Sequence, residues 1–154
     1  MCRQYKSILL ILLIFITACS TNGKNITGYI VKKDQDGRVL ITNNSSESYN
    51  AIWFVMSEKT KITGTENNGQ VFVGQQVTVA YSGNIDQSNP PISSATNIKI
   101  LNSNANAKKV KEAIEKSTFI NGIPVINDIK ANGENWIFSI TDLDSKKKEE
   151  ITLN

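Results

Sequence analysis

The sequence predicts a mainly β protein: a small five-stranded barrel, closed or partly closed, followed by a small α+β module with the order helix then three strands. Three observations point there. From Ile26 to Leu101 apolar and polar residues alternate with period two, and β-branched and aromatic residues are frequent. Gly and Asn clusters punctuate this region at short intervals. From Ser103 the composition shifts to a Lys- and Glu-rich stretch with helical spacing, and strand patterning then returns near Ile123.

The first strand is Ile26 to Lys33, with Tyr29 and Val31 on one face. Asp36-Gly37 then tolerates positive φ and suits a tight hairpin turn, and Arg38 to Thr42 returns as its partner. Asn43 to Asn50 is a polar loop. Ala51 to Ser57 is the most apolar strand, with Ile52, Phe54 and Met56 on one face and Trp53 and Val55 on the other, so both faces need cover. Lys59 to Thr63 continues or re-forms it, and Gly64 to Gly69 is a turn. Gln70 to Tyr81 is read as one strand with a bulge or sharp bend at Gly74. Asn89-Pro90-Pro91 forbids regular pairing, and Thr96 to Leu101 closes the region. Five strands with a bent fourth suit a barrel, because closing the sheet removes exposed edges.

Several of these segments, taken in order, resemble one family. They are Gly28-Tyr29-Ile30-Val31, Asp36-Gly37-Arg38-Val39-Leu40, Ala51-Ile52-Trp53-Phe54, Val73-Gly74-Gln75-Gln76-Val77-Thr78-Val79 with Tyr81 and Gly83, then Pro91 and Ser94-Ala95. The family is the bacterial lipoprotein family catalogued as domain of unknown function 3221. The likeness covers about half of the chain and rests on the order of the motifs. It implies an OB-like barrel and an extracytoplasmic address; no activity comes with it.

Ala105 to Ser117 reads as an amphipathic helix with Ala107, Val110 and Ile114 on one face, capped by Ser103 or Asn104. Lys108 with Glu112, Lys111 with Glu115 and Glu112 with Lys116 are spaced for i,i+4 pairs. Ile123 to Lys130 is the next strand, Asn132-Gly133 a type I′ turn, Trp136 to Thr141 its partner, and Glu149 to Leu153 the last strand. A module this small packs on the barrel or on a partner.

The N-terminus carries an address. Arg3 and Lys6 precede nine unbroken apolar residues, Ile8 to Ile16, and small residues lead to Cys19. A basic start, a short apolar core and small residues before the cut make a secretory signal peptide, too short for the ~20 residues of a membrane span. Ile16-Thr17-Ala18-Cys19 resembles the lipobox of bacterial lipoproteins, which implies that the Cys19 thiol carries a diacylglycerol and that signal peptidase II cuts before it. The expected organisation is a signal peptide over residues 1–18, a lipidated tether over 19–25, a barrel over 26–102 and the αβββ module over 103–154. Abundant Asn, Lys and Ile resemble the usage of AT-rich Gram-positive bacteria, which would set the chain on the outer face of the plasma membrane; in a Gram-negative cell, Ser20 in place of an aspartate would instead favour the outer membrane.

Charge and chemistry narrow the function. Losing Arg3 and Lys6 from 17 basic residues leaves 15 against 14 acidic ones, a mature charge of +1. That is no footprint of nucleic-acid binding. There is no histidine, which removes the commonest general base and metal ligand, and lipidation of Cys19 would consume the one mature thiol. No catalytic residue, metal site or cofactor is expected. Asp34-Gln35-Asp36-Gly37 begins like a calcium loop but lacks the glycine offset and the closing glutamate, so it reads as a turn. Asp142 and Asp144 are likewise turn residues, and Lys146 to Glu150 is a solvated charge run. Adjacent Trp53 and Phe54 point to opposite sides, one ring filling the barrel and the other facing the module or solvent. The expected role is that of a membrane-anchored, extracytoplasmic module that binds a protein, peptide or envelope glycan, or gives structural support. A carboxylate-based cell-wall hydrolase is the alternative, and an accessory subunit holding a partner at the membrane is a third reading.

Overall fold

A computed structural model describes residues 23–45, 49–64, 69–119 and 121–154. The expected signal peptide and Cys19 lie outside these residues. Nine strands and one helix follow in the order β1 (Lys24–Lys33), β2 (Val39–Thr42), β3 (Ala51–Val55), β4 (Lys61–Gly64), β5 (Gln76–Tyr81), β6 (Ile92–Ile100), α1 (Asn104–Lys116), β7 (Pro124–Asn132), β8 (Asn135–Asp142) and β9 (Lys148–Leu153). The fold is mainly β, as the patterning predicts.

The first six strands form one sheet whose pairings close a ring. β1 pairs with β2, β2 with β3 and β5 with β1, all antiparallel; β3 and β6 run parallel, and β6 returns antiparallel to β5. The sixth strand, β4, lies outside this ring. It follows β3 along the same edge of β6, pairing Lys61 to Gly64 with Asn97 to Ile100. The break between β3 and β4 is a turn, in which the Thr60 amide donates to the Ser57 carbonyl at 2.9 Å and the Thr60 hydroxyl to the Ala95 carbonyl at 2.9 Å. β1 serves two partners by bending. Its first part, to Tyr29, pairs with β5, its second with β2, and the register slips between Ile30 and Lys32. Gly28 sits at this hand-over because a Cβ there would clash with the Thr42 carbonyl oxygen.

Alternation sorts the side chains as expected. Ile26, Ile30, Val39, Ile41, Ile52, Phe54, Val77, Val79, Ile98 and Ile100 fill the interior of the ring, each at most 5% exposed. Phe54 and Tyr81 meet there with ring centroids 5.4 Å apart. A second cluster joins α1 to the three-stranded meander β7-β8-β9, through Val110, Ala113, Ile126, Phe138, Ile140 and Leu153.

Several boundaries differ from the sequence reading; β1, for one, starts at Lys24, inside the expected tether, and β3 ends at Val55 rather than Ser57. Residues 70–75 are not the start of β5 but a turn. Gly74 has φ 96°, and the Gly74 amide and the Gln75 carbonyl bond across to Ile30, which ends the alternation before Gln76. β6 begins at Ile92 rather than Thr96: the Trp53 amide donates to the Pro91 carbonyl at 2.8 Å, so pairing with β3 starts directly after the prolines, which lack only a donor. The β7–β8 turn is Gly133-Glu134, with Asn132 opposite Asn135 in the ladder. Gly133 alone takes positive φ, at 64°. A glycine in the first central position is the type II′ pattern, whereas type I′ needs positive φ at both.

Candidate functional site

The outer face of β1, β2 and β3 is covered by the chain itself. Val31, Leu40 and Ala51 point outward yet are at most 4% exposed, packed with Ile123 and flanked by Tyr29, Trp53, Ile114 and Leu143. All four residues of β2 are buried, so this strand is enclosed on both faces. Polar bonds fix the seam: the Thr42 hydroxyl donates to the Pro124 carbonyl at 2.9 Å and the Asn44 amide group to the Asn127 carbonyl at 3.3 Å. Phe54 enters the ring core while Trp53 faces this seam, with the Arg38 guanidinium 5.7 Å from its ring centroid. Arg38 is itself held by the Asp34 carboxylate at 2.6 Å. Burial of Asp34 works to raise its pKa, but the hydrogen bonds from Arg38 outweigh this and lower it. The turn reading of Asp34 to Gly37 therefore stands in its hydrogen bonds.

Asp142 is more than a turn residue. It is buried at the end of β8, and its carboxylate accepts from the Ile123 amide at 3.0 Å, the Ser145 amide at 3.1 Å and the Ser145 hydroxyl at 2.5 Å. These bonds lock the β8–β9 turn, in which Lys146 adopts φ 60°. The turn helps to form a cleft of about 290 Å3 at the seam, lined by Tyr49, Asn89, Pro91, Leu143 and Lys146 among others. The Ser145 hydroxyl bond, against an opposing effect of desolvation and helped by the backbone amides, holds the Asp142 pKa below its ordinary value. A depressed carboxylate stabilises the fold above its unfolded-state pKa, and that contribution is lost as pH falls through the folded value. Replacing Asp142 by Ala leaves the buried Ile123 amide unpaired and is expected to cost about 1–3 kcal/mol at neutral pH. Denaturant titrations should show this gap shrinking below about pH 4; a gap constant from pH 3 to 7 would contradict the assignment.

A larger cleft, about 530 Å3, lies between residues 70–73 and the outer side of α1, with Lys33 at one end. Its floor and walls are Val71, Phe72 and Val73, and its rim carries Lys33, Lys108 and Lys111. Gly74 makes this approach possible, since a Cβ there would clash with the Ala107 carbonyl oxygen of the helix. Buried Gln75 shapes the loop by accepting the Phe72 amide at 3.0 Å. The Lys33 ammonium donates to the Val71 carbonyl at 3.1 Å. On α1, capped by the Ser103 side chain as expected, Lys111 pairs loosely with Glu115 at 3.6 Å, while Glu112 is engaged by Lys116 at 3.1 Å. The expected pairing of Lys108 with Glu112 thus gives way to that of Lys116.

The charge run after Asp144 is partly tied into the fold. Glu149 accepts from both the amide and the hydroxyl of Thr118, just past α1, and Lys147 approaches it at 3.1 Å. The Thr118 bonds, chiefly that of its hydroxyl, lower the Glu149 pKa. Sequence reasoning singled out Trp53, Phe54 and the Asp pairs but not the cleft of Lys33, Phe72, Val73, Lys108 and Lys111. The signal available for it was Gly74, read as a bend in a strand. Among the described residues no group of three Asp, Glu or Cys side chains is placed to hold a metal ion, and no helix is long and apolar enough to cross a membrane.

No curated protein and no solved structure matches the chain. A family model described as Protein of unknown function (DUF3221) matches residues 27–102. The match runs from within β1 to just beyond β6, so the likeness to this family, whose function is unknown, lies in the ring of strands.

Proposed function

We propose that the protein is an extracytoplasmic lipoprotein, anchored through Cys19, whose ring of strands is an OB-like barrel working with the αβββ module as a binding or structural unit without catalysis. The strand order supports the barrel reading: β1-β2-β3-β6-β5 returns to β1, with one parallel contact, between β3 and β6, in the ring. The observation that carries the binding reading is the seam. The face of β1, β2 and β3 is occupied by the chain's own module, and both clefts described above draw their walls from both units. Ligand sites in folded proteins favour such junctions. For the anchor, β1 starts at Lys24, five positions after Cys19, which limits the reach of the tether to about 18 Å.

The hydrolase alternative needs a general acid with a raised pKa beside a cleft. Asp34, Asp142 and Glu149 are shifted the other way, each by bonds that hold a turn or a helix end. That favours structural work for these carboxylates. The anchor is tested in whole cells with labelled fatty acid. Label is expected in the wild type and absent from Cys19→Ser, because stable attachment takes two or more acyl chains and those require the thiol. Equal label in the two proteins would remove the lipoprotein assignment, and turnover of peptidoglycan by the purified protein would remove the non-catalytic one.

A further inference from the structure

We infer that the cleft between residues 70–73 and α1 is a binding site for a small anionic amphiphile, a molecule with one carboxylate or phosphate head and a short apolar body. This rests on the binding-module reading and gives it a ligand class.

The charge is local. The mature chain is close to neutral, with 15 basic and 14 acidic residues, yet Lys33, Lys108 and Lys111 gather at one cleft that, among the described residues, no carboxylate lines. Ammonium groups of one sign around a low-dielectric wall focus potential and raise the local concentration of anions. The helix could have neutralised this rim through Lys108 and Glu112, but Glu112 is bound by Lys116. An inorganic anion would satisfy the rim alone and leave Phe72 and Val73 in water. A neutral apolar molecule would cover those side chains and leave Lys108 without an ion pair among the described residues and Lys111 with only its loose contact to Glu115 at 3.6 Å. A single molecule bearing both features answers both.

Size and construction agree with that class. A volume of about 530 Å3 falls within the roughly 300–1,000 Å3 of small-ligand sites. At about 30 Å3 per water-sized group it holds fewer than about twenty heavy atoms. The site is also built rather than incidental. Gly74 at φ 96°, the Gln75 side chain on the Phe72 amide and the Lys33 ammonium on the Val71 carbonyl fix the wall opposite α1. Direction matters as well. Lys33 and Lys24, where the tether enters, are the two ends of β1, which bends between them. The cleft thus lies at the other end of this strand from the point of attachment, which favours a dissolved or presented ligand over the bilayer surface.

The test uses residues 20–154, which contain every described element and all three apolar clusters. Octyl phosphate and octanoate are titrated by calorimetry, with inorganic phosphate, octanol and phosphatidylglycerol vesicles as the other arms. Saturable binding of octyl phosphate or octanoate is expected, at least about tenfold tighter than that of inorganic phosphate or octanol; the tighter of the two assigns the head. The double variant Lys108→Gln/Lys111→Gln, and separately Phe72→Ala, should each weaken it about tenfold, while Lys108→Arg/Lys111→Arg retains it. Circular dichroism must show each variant folded. Inorganic phosphate binding as tightly as octyl phosphate would reduce the site to an anion contact and overturn the inference. So would vesicles that bind with the same lysine dependence when the monomeric probes do not, no saturable binding, or binding indifferent to the lysines. None of these results touches the fatty-acid label or the turnover assay, so a wrong ligand class is distinguishable from a wrong general function.

Discussion

A chain ending at Asn102 is expected to aggregate or to bind hydrophobic dyes strongly, although it spans every residue matched by the family model. Removing residues 103–154 takes away Ile114, Ile123 and Leu143 and so uncovers Val31, Leu40 and Ala51, each at most 4% exposed in the intact chain. Re-exposing a buried Val or Leu costs about 1.5–3 kcal/mol each, and whole domains are stable by only about 5–15 kcal/mol. Thr42 loses its acceptor at Pro124 as well. What remains is a sheet with an apolar face on each side, the pattern of an aggregation site. The measurement is size exclusion with thermal melting of residues 20–102 against residues 20–154. A monomeric fragment that melts cooperatively near the temperature of the longer chain would show that the module is an appendage and not part of one packed body.

This dependence was half legible in the sequence. Alternation assigns Ile52 and Phe54 to one face of β3 and Trp53 to the other, and it follows that both faces need cover; what supplies the cover does not. The helix-plus-meander module was readable from Ala107, Val110 and Ile114 and from the spacing of the later strands, and so was its need for a surface to pack on. Places where one residue's backbone overrides the pattern were not readable. Val71 and Val73 stand two apart and lead into Val77 and Val79 as a strand would, but positive φ at Gly74 turns the chain onto the helix, and the cleft exists because of that turn. Its lysines come from two separate elements, β1 and α1, and helical spacing alone cannot decide whether Glu112 bonds Lys108 or Lys116. Asp142 was legible as a residue near a turn. Its role as the acceptor for Ile123, nineteen positions earlier, depends on a tertiary approach that no local pattern encodes.

Phe54→Ala is expected to cost about 3–5 kcal/mol, the usual range for emptying a buried aromatic site, and more than Trp53→Ala although tryptophan is the larger side chain. Position decides the order. Phe54 is 0% exposed in the ring interior, against Tyr81, and its neighbours in register are Val39 of β2 and Ser93 of β6. It therefore stands where the parallel contact closes the ring, and its loss leaves a cavity bounded by three strands that cannot collapse without breaking a ladder. Trp53 sits at the seam, partly exposed and stacked by Arg38, where solvent and the Arg38 side chain can fill part of the space. Its loss also removes area from the contact with the module, so a measurable cost is still expected. Urea titrations of the two variants, followed by circular dichroism, give the comparison. If Trp53→Ala proved the more damaging, the stability of the ring would depend chiefly on the seam, and the closure between β3 and β6 would be its consequence.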